Sequence, residues 1–148
     1  MKPRDIIGVI ARCTVGGILA YAGFMKAMAP SAEFAAVLEA YKLFPSALLT
    51  PLSIGLPYVE MWVGLFLMTG LYTRWAALAA AFLGTSFFLS VGSTLLRHID
   101  LATCGCLGSE SLKPQQTMIL DIFIVALSIA IYRLSRAYPR WSLDQALS

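Results

Sequence analysis

Four apolar runs, each close to the length of a bilayer crossing, decide what this chain can fold into. They are Ile6 to about Ala27, about Leu52 to Tyr72, Trp75 to Leu96, and about Thr117 to Tyr132. A helix rises about 1.5 Å per residue, so a hydrocarbon core of roughly 30 Å needs about 20 apolar residues. No water reaches that core to satisfy backbone N–H and C=O groups, and a helix satisfies them within itself. The composition points the same way. Of 148 residues 59% are hydrophobic and 13% are charged, where soluble domains carry about 25% charged. The expectation is an all-α membrane protein, a four-transmembrane-helix bundle forming one integral domain over residues 1–148. The net charge of +3 is small and dispersed, which argues against nucleic acid as a partner and leaves the lipid bilayer as the surroundings. Three cysteines are too few for a disulfide-built scaffold.

The first run has the outline of a secretory signal, with Lys2 and Arg4 before it and Ala27-Met28-Ala29 after it. Arg12 interrupts the apolar stretch, so a retained helix is expected instead. Orientation follows from Lys and Arg near the helix ends. Lys2, Arg4, Arg74, Arg133, Arg136 and Arg140 fall on the side of the termini; Lys26, Lys42, Arg97 and Lys113 fall on the other. The bias predicts both termini in the cytoplasm of a bacterial inner membrane. Tyr72, Trp75, Tyr132, Tyr138 and Trp141 fit an aromatic belt on that face.

Between the first two runs, Phe34, Val37, Leu38 and Tyr41 recur at helical spacing, with Glu33 and Lys42 off the stripe and Pro45 ending it. This predicts a short amphipathic helix lying on the membrane surface. Gly16, Gly17, Ala20 and Gly23 in the first run, and Ala76, Ala77, Ala79, Ala80, Ala81 and Gly84 in the third, read as faces of close helix packing.

The connection from about Arg97 to Gln115 holds Cys104-Gly105-Cys106. One spacer residue lets the two sulfurs join only in a tight ring, and Gly105 eases the crowding. A strained, exposed disulfide is easily reduced and tends to be exchange-active. The predicted orientation puts this loop in the periplasm, where disulfides persist. As a passive staple the pair would stabilise little, since it closes almost no chain. Soft-metal binding of Cu or Hg type, with His98 as a further ligand, is the alternative, and a non-redox membrane assembly factor is another. Cys13, roughly 20 Å away along the first helix, reads as a buried apolar residue.

Charges inside the spans are costly and commonly mark function. Lys26, Glu60 and Asp121 fall at compatible depths beneath the cysteine loop, whereas Arg12 lies toward the opposite end, where its side chain can snorkel. Lys26 with Glu60 could be a structural ion pair; the three could equally relay protons or set thiol reactivity. Arg97 and His98 are the charged or titratable groups nearest the cysteines in sequence. His98 would suit a proton shuttle, or simply a polar interface position. Pro57, one turn before Glu60, predicts a kink beside a pocket.

Several of these pieces occur in a recognisable order. They are Tyr21-Ala22-Gly23-Phe24-Met25-Lys26, Phe34, Tyr41 with Pro45, Leu56-Pro57-Tyr58-Val59-Glu60, and Arg97 leading to Cys104-Gly105-Cys106-Leu107-Gly108. The set resembles the MauE family of methylamine utilisation, within the DoxX-like group. Leu107 stands where that family usually has phenylalanine. The resemblance implies a four-helix membrane protein that serves redox maturation of exported proteins with a thioredoxin-like partner. The client in the methylamine system is a disulfide-rich dehydrogenase subunit. The DoxX-like resemblance also implies contact with the quinone pool. From the residues themselves, Cys104 and Cys106 are the candidate exchanging pair, with Lys26, Glu60, Arg97, His98 and Asp121 in support and quinone as the electron acceptor.

Overall fold

The structure, a computed structural model, describes residues 3–98 and 113–137. Within them every regular element is helical: α1 (Pro3–Met28), α2 (Ser31–Ala40), α3 (Ser46–Thr69), α4 (Thr73–Leu96) and α5 (Pro114–Ala137). Four stretches are long and apolar enough to cross a membrane, namely Ile6–Met28, Ser46–Thr69, Thr73–Leu96 and Gln115–Ser135. The chain is thus a multi-pass membrane protein. The second crossing begins six residues before the predicted Leu52, because Pro45 adopts extended backbone (φ −64°, ψ 148°) and the helix starts immediately after it. Pro51 and Pro57 both lie inside α3 without ending it. Proline is tolerated in spanning helices because neighbours re-satisfy the freed backbone groups.

The helices associate as two close pairs, α1 with α3 and α4 with α5, joined by lighter seams between α3 and α4 and between α1 and α5. Glycine explains the first pair. A Cβ on Gly64 would stand 2.5 Å from both Gly16 O and Ala20 N, and one on Gly23 would stand 2.5 Å from Pro57 O. Backbone meets backbone there, and only hydrogen leaves room. Between apolar helices in lipid no water-exclusion force operates, so this closeness and its dispersion contacts hold the pair. In the second pair Gly84 faces side chains instead: its Cβ would meet Val125 Cγ2 at 2.9 Å.

Burial follows the helical period on every crossing. On α4 the buried positions include Ala76, Ala77, Ala80, Leu83, Gly84, Phe87 and Val91. Ala11, Val15, Leu19, Val63, Leu67, Ile124 and Ile131 join Ala76, Ala77, Ala80 and Leu83 in one core. The outward faces stay apolar, as at Phe82 and Trp75, because lipid is their solvent.

Two expectations change here. The stripe of α2 does not serve the membrane surface. Phe34, Leu38 and Tyr41 are buried against Phe87 and Val91 of α4, with Leu49, Leu52 and Leu56 of α3 alongside. The stripe satisfies a protein surface that needed covering. Cys13 is exposed, not buried. It lies two positions past Ala11 and two before Val15, so the helical turn carries it away from their inward stripe.

At the far end, the α3–α4 turn is made by Gly70 (φ 74°) and Tyr72 (φ 48°), both left-handed. Arg12 lies across it, its Nη1 3.0 Å from where a Gly70 Cβ would be and 3.5 Å from Thr73 Oγ1. Glycine thus suits position 70 twice, by its dihedral and by the space the guanidinium needs.

Candidate functional site

Each charge of interest sits on the inward stripe of its own helix. Ala11, Val15, Leu19, Ala22 and Lys26 step by three or four residues along α1, and all are buried. On α3 the stripe is Ser53, Pro57, Glu60, Gly64 and Leu67. On α5 it is Thr117, Asp121, Ile124, Ser128 and Ile131. Helical geometry therefore turns Lys26, Glu60 and Asp121 toward one another rather than toward lipid.

Gly23 brings α1 against α3 directly beside Glu60, whose Cβ would lie 3.1 Å from a Cβ at position 23. The Lys26 ammonium then donates to both carboxylate oxygens, at 2.8 Å to Oε1 and 2.7 Å to Oε2. Both residues are almost fully enclosed, 4% and 1% exposed. Two aromatic faces complete the enclosure of the cation, Phe87 at 4.6 Å and Phe34 at 5.4 Å from ring centroid to Nζ. Carboxylate and ring quadrupoles all favour the positive charge, replacing the water it lost. A buried pair is costly to assemble and far costlier to break by removing one partner.

Asp121 differs. It is 3% exposed, and its Oδ2 has no hydrogen-bond partner among the described residues. It lines a cavity of about 20 Å³ together with Lys26, Glu60, Gly84, Phe87 and Ile124. The charges of Lys26 and Glu60 both act on it. This space lies between the two helix pairs, with Lys26 and Glu60 from one and Asp121 from the other. Thr117 Oγ1 and Ser128 Oγ, on the same stripe of α5, are likewise buried without a partner among the described residues.

Of the residues singled out from sequence, the structure brings Lys26, Glu60 and Asp121 together. Arg97 and His98 stand apart from them, exposed at the end of α4, with His98 in left-handed backbone (φ 52°). Cys104 and Cys106 lie outside the described residues. Among the described residues no group of three or more His, Cys, Asp or Glu is placed to hold a metal ion. Sequence reasoning missed Phe87 and Phe34 as the walls around the ammonium, and Thr117 and Ser128 as buried hydroxyls. Phe87 was findable: it falls three residues after Gly84 and four before Val91, on the packing rhythm of α4.

Searches against curated proteins and against solved structures give no match. A family model, described as methylamine utilisation protein MauE, matches residues 4–134. The match spans every described helix except the last three residues of α5 and the first of α1, and on it the chain belongs to the MauE family.

Proposed function

We propose that this protein is a membrane thiol–disulfide exchanger, with Cys104 and Cys106 as the reacting pair. The observation that carries the reading is two thiols separated by one glycine in the connection that joins α4 to α5. That connection leaves the bundle at the end toward which Lys26, Glu60 and Asp121 lie. In this reading the whole chain is one domain of a bacterial inner membrane. Both termini are cytoplasmic and the cysteine loop is periplasmic, as the distribution of Lys and Arg supports.

The chemistry is an exchange that balances within the two proteins. A thiolate of a reduced thioredoxin-like partner attacks one sulfur of the Cys104–Cys106 disulfide. The S–S bond breaks, a mixed disulfide forms, and the partner's second thiol displaces it. Two electrons and two protons pass to the cysteine pair, and the partner leaves oxidised, ready for an exported client. An acceptor of the quinone class would supply the sink for the two electrons and two protons of the Cys104–Cys106 dithiol. Family membership supports a client in methylamine utilisation.

Cys104→Ser and Cys106→Ser should each abolish exchange in a redox complementation assay, and Cys106→Ser or its counterpart should trap the mixed disulfide. Full activity of the double variant would refute the proposal. Stoichiometric Cu(I) binding without thiol exchange would also overturn it, in favour of metal carriage.

A further inference from the structure

The polar cluster is short of one positive charge. Lys26 brings one ammonium; Glu60 and Asp121 bring two carboxyl groups to the same cavity. Glu60 holds the ammonium through both of its oxygens, and two rings enclose the ammonium further. Lys26 makes no hydrogen bond to Asp121, whose Oδ2 is buried and unpartnered among the described residues. An acceptor in this state is costly in a low-dielectric interior. Around it, α1 presents Lys26, α3 presents Glu60, and α4 presents Gly84 and Phe87 but no ionisable lining residue.

Size decides what can relieve it. The cavity holds about 20 Å³, and one water needs roughly 10–15 Å³. That is room for a single water with an exchangeable proton. We propose that the seam between the two helix pairs is a one-proton binding site, with Asp121 Oδ2 as the group that gains and loses the proton. Glu60 and Lys26 are its fixed electrostatic frame and do not exchange.

Thr117 is the hydroxyl nearest to Asp121 along α5, buried on the same stripe. Thr117 precedes Asp121 by four residues, about 6 Å along α5. Its hydroxyl is buried without a partner among the described residues and can both donate and accept; in this proposal it relays a proton to a water in the cavity. That water gives a proton to Asp121 Oδ2 as it receives one from the Thr117 side. In the other direction the next hydroxyl, Ser128, stands seven residues from Asp121, about 10 Å along α5, with Ile124 between them. The arrangement is a proton inlet, not a transmembrane wire. It is independent of thiol chemistry.

Infrared difference spectra of the purified full chain in lipid nanodiscs, recorded across a pH titration and in D₂O, test the proposal. The wild type should show a carboxylic C=O band that titrates as one group. Asp121→Asn should lose it, Asp121→Glu should move it, and Glu33→Gln, at an exposed position of α2, should leave it unchanged. Thr117→Val should keep the band but slow its exchange in D₂O. Superimposable titrations of wild type and Asp121→Asn would overturn the proton site, and unchanged exchange in Thr117→Val would overturn the inlet. Neither result bears on the cysteine variants, so the two readings fail separately.

Discussion

The two helix pairs solve the same problem in opposite ways. In α1 with α3, main chains touch at Gly16, Gly23 and Gly64, and the Lys26 cation is matched by Glu60. In α4 with α5, contact runs through side chains at Gly84, and the inward stripe of α5 carries three oxygens without partners among the described residues. In the first pair the buried charges Lys26 and Glu60 satisfy each other. The other keeps polar groups in reserve along a single face. Buried polar groups are ordinarily hydrogen-bonded, so the pair that leaves them unmatched is where exchange with something smaller is to be sought.

The sharpest way to break this contrast is to remove one half of the matched pair. Glu60→Ala strands a buried ammonium and should cost about 3–5 kcal/mol, read as a large fall in melting temperature in detergent. The double variant Lys26→Met, Glu60→Leu should recover most of that loss. A single variant milder than the double would show that the pair is not closed.

Next comes the backbone contact. Gly64→Val should cost about 1–3 kcal/mol or more, since the atoms it meets belong to main chain and cannot rotate away. Gly84→Ala should cost less, because Val125 can turn aside. Gly17→Ala meets nothing within 4 Å and should stabilise by about 0.5–1 kcal/mol through helix propensity. Thermal unfolding of the three variants ranks them directly.

Smaller still is Phe87→Leu, which removes one face of the ammonium's enclosure for about 0.5–2 kcal/mol. Asp121→Asn should change stability least, by less than about 1 kcal/mol, the worth of a typical hydrogen bond that its Oδ2 does not make. A fall as large as that of Glu60→Ala would mean that Asp121 is structurally matched after all, and the two pairs would no longer differ.

Much of this was legible in the chain. Apolar length alone locates four crossings, and the positions of Lys26, Glu60 and Asp121 already imply a shared depth. Other features were not legible, for physical reasons. The stripe Phe34, Leu38 and Tyr41 looks the same whether it faces lipid or protein, so its burial against Phe87 and Val91 needed the tertiary arrangement. Aromatic residues occur on all faces of a spanning helix. Phe82 is 73% exposed and Phe87 is 8% exposed on the same α4, and composition cannot tell which will meet a cation. Cys13 illustrates the converse, since an apolar thiol is as much at ease against lipid as inside a core.

The Lys26–Glu60 bond also constrains how the protein is made. The partners are 34 positions apart, so at roughly 5–20 residues per second the ribosome delivers the lysine several seconds before its carboxylate. For that interval the cation has no counter-charge. Its place in the last turn of α1 lets it wait in the headgroup layer until the second crossing arrives, so insertion of these two segments is completed jointly rather than one after the other.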